Sequence, residues 1–444
     1  MKLLIKNAIV VEPSKNLEKK QDILIENGKI IEIKENIKLT QPHKQINANN
    51  FYVSAGFIDI HTHLREPGNE EEETINSGTK AAAAGGFTSV FCMPNTNPPI
   101  DDQAAVEFIM LKAKNEGLIN VYPVGCVTKL RKGEELTEIG ELKKAGVVAI
   151  SDDGEPVENS KIMRRALEYS KMFNLPVIQH CEDKNLSKGG VINEGKVSTM
   201  LGVRGIPKES EEIIVIRDII LASLSKGFLH LTHISSKNSI EFIKQAKQKN
   251  INITCDVTPH HLVLTEDYLL KSPYDTNLKI NPPLRTEEDR ISLINAIKDD
   301  TVDCISSDHA PHTKEEKSKE FDLAPFGIIG LETLFPLCVT FLYYKHKVPL
   351  INIIKKITNN PAKIFNLKNK GKIEIGYDAD LTIFSIQEEF IVSNFFSKSS
   401  NSPFIGWKLK GKIKYTICGG KVVFDSTNPK DPFYENKNFY NNKK

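Results

Sequence analysis

Cysteine is sparse in this chain and scattered: the seven residues, Cys92, Cys126, Cys181, Cys255, Cys304, Cys338 and Cys418, form no CxxC pair. That spacing speaks against a disulfide framework or a zinc ribbon and favours a reducing compartment, with the cytoplasm as the expected location. An excess of either charge is also missing, since 59 lysines and arginines face 57 aspartates and glutamates. No overall field draws the chain to nucleic acid or to an anionic membrane. Long apolar runs are lacking as well. The opening "MKLLIKNAIVVEP" is interrupted by Lys6 and Asn7 and has no small-residue cleavage site, so no signal peptide is expected. The stretch "GIIGLETLFPLCVTFLYY" is broken by Glu332 and Pro336, well short of the roughly 20 apolar residues of a membrane span, and reads as a buried core helix. There is no internal repeat, no heptad and no dinucleotide fingerprint. The one biased tract is the terminal "ENKNFYNNKK", expected to be disordered. The glycines of "AAAAGGF" follow a helical stretch and precede an extended one, the reverse of a phosphate cradle, so Gly85 and Gly86 read as a helix stop.

What the chain has is length and rhythm. Its 444 residues at 40 % hydrophobic content can bury a large core. Eight short apolar or β-branched runs are each followed by polar residues or glycine: "GFIDIHTH", "FTSVFCMPN", "INVYPVGC", "VVAISDD", "LPVIQHC", "FLHLTHIS", "INITCDV" and "VDCISSDH". Stretches of helical spacing such as "DDQAAVEFIMLKAKNEG" lie between most of them. Eight alternations over about 250 residues predict a (β/α)8 barrel of the TIM type, with a doubly wound open sheet as the competing α/β architecture. Outside this block the grammar changes. "KLLIKNAIVV", "DILIENGKIIEI", "DADLTIF" and "KYTICGGKVVF" are extended runs joined by Asn-Gly or Gly-Gly turns. They predict a small β-sandwich shared by both ends of the chain, residues 1–55 plus 365–444, around a barrel of residues 56–364.

The ends of the predicted strands carry the chemistry. His61 and His63 alternate onto one face, which at the end of a barrel strand is the mouth. Alone, an HxH pair is more often incidental than metal-binding. Here "SDDG" brings Asp152 and Asp153, "QHCED" His180, "LTHIS" His233 and "SSDHAPH" Asp308, all at carboxyl ends of strands, where barrel enzymes keep their active sites. Four histidines and two carboxylates from five strands suffice for two zinc ions that share a bridging carboxylate and a bridging water. Manganese or cobalt would suit the same ligands. Alternation alone does not choose between Asp152 and Asp153. His230 falls out of phase with His233 and is expected to face the helices. His260, His261 and His309 read as supporting residues, and Cys181 as a buried thiol pointing away from the cluster.

These motifs, with "DIHTHLREPG", "MPNTNP", "DVTPHHL", "INPPLR", "PFGIIGLET" and "GYDADLTIF", make the chain resemble the amidohydrolase superfamily over nearly its whole length, and within it the bacterial dihydroorotases of the type related to the animal multifunctional pyrimidine enzyme. The resemblance implies two Zn2+ per subunit: His61 and His63 on one with Asp308, His180 and His233 on the other, and Asp153 with a hydroxide bridging them. It also makes Asp308 the proton carrier. Many superfamily members bridge their metals with a carboxylated lysine. "VVAISDDGEP" contains none, which points to the subgroup with an aspartate bridge.

The activity so implied is reversible hydrolysis of dihydroorotate to N-carbamoyl-L-aspartate, a step of pyrimidine synthesis. A cyclic amide bearing a carboxylate needs a guanidinium beside the metals, and Arg65 follows the histidine pair by two residues. The resemblance adds Asn95 and His312 as further carboxylate partners, and Asn281 with the backbone of Phe326 and Gly327 for the ring amide; His63 also lies on the substrate side. The polar segment "HAPHTKEEKSKEFDLAPFG" is expected to act as a lid. A homodimer is expected, and association with aspartate transcarbamoylase is the macromolecular contact to look for. The rivals are a hydantoinase or allantoinase, lacking the carboxylate pocket, and a catalytically inactive subunit of an aspartate transcarbamoylase complex, which should have lost ligands.

Overall fold

The computed structural model describes residues 2–429 and 431–433. The tail read as disordered, "ENKNFYNNKK", lies outside the described residues.

Both ends of the chain build one eight-stranded sheet. The start contributes β1 (Lys2–Glu12), β2 (Leu17–Glu26), β3 (Lys29–Lys34), β4 (Lys44–Asn47) and β5 (Tyr52–Ala55). The barrel interrupts it, and the sheet resumes near the end with three more strands. Asn27 and Gly28, both at positive φ, turn β2 into β3; a left-handed pair of this kind matches the twist of a hairpin.

The barrel strands follow in order: β6 (Phe57–Thr62), β7 (Phe87–Cys92), β8 (Asn120–Gly125), β9 (Ala149–Ser151) and β10 (Val177–Gln179). After a two-stranded excursion, β11 (Ile192–Asn193) and β12 (Gly205–Ile206), come β13 (Leu229–Leu231), β14 (Ile253–Val257) and β15 (Cys304–Ile305). The eight barrel strands pair in parallel in the order β15-β14-β13-β10-β9-β8-β7-β6. A parallel bridge between Thr62 and His309 links the two edges, and the His63 N–H donates to the His309 carbonyl at 2.8 Å. The barrel is thus nearly closed, and the open-sheet alternative falls.

Helices between the strands start on side-chain caps: Asp102 before Gln103–Glu116, Asn159 before Ser160–Lys171 and Ser236 before Lys237–Gln248. Such caps are typically worth about 1 kcal/mol each. Gly85 stops the helix Ile75–Ala84, its N–H donating to the Ala81 carbonyl. Outward strand residues such as Val90, Val121, Ile150, Val177, Leu229 and Leu231 pack under the helices. Ile58, Ile60, Phe91, Val124, Ala149, Ile178 and Cys304 fill the interior, closed off by Ala362, Phe365 and Leu367. The run read as a buried helix is one only from Leu334, residues 327–333 being bridge and turn: Leu334–Leu337 continues into a wider helical turn over Cys338–Lys345, with Phe335, Cys338, Val339 and Leu342 buried. Among the described residues no helix is long and apolar enough to cross a membrane.

The sheet is completed by β16 (Leu381–Ile391), β17 (Lys408–Cys418) and β18 (Lys421–Asp425). β16 pairs antiparallel with β5, Leu381 opposite Ala55 and Ile383 opposite Val53, so the closing strands of the chain are sewn to the strand that enters the barrel. Ile5, Val10, Ile23, Ile25, Val53, Leu381, Ile383 and Ile417 form its own core.

Candidate active site

Five strand ends converge at the carboxyl rim. His61 and His63 leave β6 together. The His61 Nε2 lies 3.1 Å from Asp153 Oδ2 and 3.5 Å from Asp308 Oδ1, and the His63 Nε2 lies 3.3 Å from Asp308 Oδ1. From β10 and β13, His180 Nδ1 and His233 Nε2 approach each other to 2.9 Å and stand 3.6 and 3.4 Å from Asp153 Oδ1. Asp153 therefore sits between the two histidine pairs. Asp152 points elsewhere: its Oδ1 accepts from the backbone N–H groups of Val127 and Thr128 at 2.9 and 3.0 Å, and its Oδ2 from the Thr128 hydroxyl. The choice that alternation left open is made by this loop, which uses Asp152 to satisfy its own buried donors.

Charge balance explains what such a cluster is for. Burial alone would raise the Asp153 carboxyl. The charge of His61 and the approach of His180 and His233 outweigh it and hold that carboxyl well below its ordinary range. Asp308 is likewise held low, against burial, by its bond from His63 and by the charges of His61 and His63. In return His61 is pushed up to about 10 and His180 to about 9: burial opposes the change, and the neighbouring carboxylates overcome it. Protons on imidazoles thus do the work of a cation. A divalent ion fits that role, because it binds the deprotonated ligands and displaces those protons. Within this cluster two triads have ligand atoms all within 4.8 Å of one another, His61 with His63 and Asp308, and His61 with Asp153 and His233. Asp153 Oδ1 and His233 Nδ1 are buried without hydrogen-bond partners.

All of the cluster but His61 forms the floor of a cavity of about 600 Å3, lined also by Arg65, Asn95, Asn281, His312, Phe326 and Gly327. Arg65 is buried; its Nε lies 2.6 Å from Glu72 and donates to the Pro311 carbonyl at 3.1 Å, which fixes the fork in place. Asn95 accepts from His63 Nδ1 at 2.8 Å. Asn281 donates to Glu182 at 3.1 Å, and its loop is held by His261, whose Nε2 donates to the Pro282 carbonyl at 2.9 Å. His312 Nε2 donates to the Phe326 carbonyl at 2.9 Å. The backbone of Gly327 is already engaged: its N–H donates to the Lys279 carbonyl and its carbonyl accepts from Lys317 and Asn401. Phe326 and Gly327 therefore wall the cavity with most of their polar backbone spent inside the protein.

Two sequence readings need comment. His230 does not face the helices. Its ring lies against Phe365 in the barrel interior and its Nε2 is 2.9 Å from Asp256, because the left-handed backbone of His233 (φ 40°) breaks the alternation that linked the two residues. Cys181 does lie away from the cluster, buried in the layer under the helices. Sequence reasoning missed Glu182, Thr232 and Asp256, which back the ligand side chains. Glu182 had a signal, standing two residues beyond His180 in "QHCED"; Thr232 and Asp256 had none.

The amidohydrolase family model matches residues 52–423. The dihydroorotase of Endomicrobium trichonymphae is 52 % identical over 426 residues, 96 % of this chain and 100 % of that one. The dihydroorotase of Caldanaerobacter subterraneus subsp. tengcongensis is 49 % identical, covering 96 % of this chain and 97 % of its own. Among solved structures, the dihydropyrimidinase of Brevibacillus agri superposes with a TM-score of 0.84 at 24 % identity, covering 95 % of both chains. The L-hydantoinase of Arthrobacter aurescens gives 0.85 at 23 % identity, also over 95 % of both. At that identity the structural likeness is one of fold.

Proposed function

The chain belongs to the amidohydrolase family, and from that membership we infer that it is a dihydroorotase, catalysing the reversible hydrolysis of dihydroorotate to N-carbamoyl-L-aspartate. The observation that carries this reading is one cavity with two unlike walls: His63, His180, His233, Asp153 and Asp308 on the floor with His61 buried behind them, and beside it the fixed guanidinium of Arg65 with Asn95 and His312. The near full-length similarity to dihydroorotases supports it.

We take the cofactor to be zinc, two ions per subunit, which His61, His63, Asp153, His180, His233 and Asp308 would hold; when bound they would supply activation of water and polarisation of the amide carbonyl. The residues of the chain do the rest. Arg65, His312 and the free amide of Asn95 hold the substrate carboxylate. Asn281, braced by Glu182, orients the ring. Asp308 takes the proton of the attacking water and delivers it to the leaving ring nitrogen, and runs the same transfer backwards in ring closure. A cytoplasmic homodimer is part of the same proposal.

Hydantoinase activity is the second reading, because a hydantoin is also a cyclic amide and would suit the same metal cluster. The two separate on charge, since a hydantoin carries no carboxylate for Arg65. Purified protein assayed in parallel with dihydroorotate, hydantoin and allantoin, with and without chelator and with metal analysis of the same sample, tests both. Turnover of dihydroorotate that is lost on chelation, with about two zinc ions per chain, is the expected result. Turnover of hydantoin in preference to dihydroorotate would overturn the assignment.

A further inference from the structure

Three of the four imidazoles in the cluster are gripped on the nitrogen that points away from it. His63 is held by Asn95, His180 by Glu182, and His61 by Thr232, whose Oγ1 is 2.7 Å from Nδ1. The Thr232 hydroxyl has only one proton, and it is donated to Asp256 Oδ2 at 2.8 Å. The oxygen must therefore accept from His61 Nδ1–H, so the Nε2 proton is the one a cation would displace, freeing that lone pair on the side of Asp153 and Asp308. Asp256 is fully buried. Its Oδ2 also accepts from His230 Nε2 at 2.9 Å, while its Oδ1 accepts from Ser306 at 2.5 Å and from the backbone N–H of His233 at 3.0 Å. His233 is the imidazole with no grip on its outer nitrogen, so this backbone bond at a left-handed residue is what aims it.

We propose that Asp256 is a positioning residue for both candidate metal groups at once, setting the tautomer of His61 through Thr232 and the aim of His233 through its backbone. The proposal rests on the reading of the cluster as a metal site. Supporting partners of this kind usually govern metal affinity by roughly 10- to 100-fold.

The test uses the full chain, stripped of metal and titrated with zinc against a competing chromophoric chelator, with thermal unfolding of each metal-free protein alongside. Thr232→Val keeps the shape and removes the acceptor; it should weaken zinc binding by roughly 10- to 100-fold while the metal-free protein unfolds near the wild-type temperature. Thr232→Ser restores the hydroxyl and should restore affinity. Asp256→Asn should weaken both ions, whereas Glu182→Gln should weaken one. Wild-type affinity in Thr232→Val, or a Thr232→Ser protein as weak as Thr232→Val, overturns the proposal even if Asp256→Asn fails to fold. If the unaltered protein takes up no zinc, the metal reading itself fails, an outcome distinct from altered proteins that bind as well as wild type.

Discussion

Asp308 and Arg65 are one residue each from different tasks, and their local backbones explain why neither is readily replaced. Both sit at positive φ, 47° and 63°, where the chain turns sharply at the rim and throws the side chain into the cavity. Asp308→Ala removes the proton carrier and leaves five of the proposed ligands. Its kcat should fall by roughly 10²- to 10⁴-fold with much of the zinc retained. A variant with near-normal kcat removes Asp308 from that role. Arg65→Met deletes a charged bidentate donor, worth about 1.5–3 kcal/mol, so kcat/KM should drop roughly 10- to 150-fold. Arg65→Lys keeps the charge but loses the fork and the bond to the Pro311 carbonyl, so it should recover only part of that loss. Full recovery by lysine would mean that charge alone binds the carboxylate.

At the scale of elements, the barrel was legible because parallel strands buried on both faces read as apolar runs, and because the polar residues that end them mark the rim. His61, His63, His180, His233 and Asp308 could be picked out that way, whereas Asp153 stood level with Asp152 until the family resemblance separated them. The grip behind them could not. Thr232 lies 171 residues from His61, and His230 was misread because a single left-handed residue resets a strand's phase. Nothing in composition announces either. The segment after β15 shows the same limit. Polarity suggested a lid, yet two buried lysines tie it down: Lys317 donates to the carbonyls of Pro325 and Gly327, and Lys279 to those of Phe321 and Asp322. Burial, with Lys279 nearby, pushes Lys317 down to about 7, while in the unfolded chain a lysine sits near 10.4. The folded state thus binds fewer protons between those values. The stability from this group is fully present above the unfolded value and is lost as pH falls toward 7. Melting temperatures of wild type and Lys317→Met, compared at about pH 7 and about pH 9.5, should shift in favour of wild type at the higher pH. A difference that does not change with pH would show that Lys317 is not held neutral by burial.

For the whole molecule, the cluster is the point where distant parts of one chain meet. His63 and Asp308 are 245 residues apart, and Asp153 faces histidines from three strands. An unfolded chain cannot offer that arrangement, so metal binding stabilises the folded state alone. With free zinc at 100-fold above its dissociation constant, each site adds about 2.7 kcal/mol. Stripping the metal should therefore lower the melting temperature by several degrees, and returning zinc should restore it. The two triads make the dependence specific, because His61 belongs to both and His63 to one. His61→Ala should abolish most of the zinc-induced shift, whereas His63→Ala should keep the part owed to Asp153 and His233. A zinc-induced shift of wild-type size in His61→Ala would mean that the cation binds elsewhere, and the convergence of the strand ends would then need another explanation.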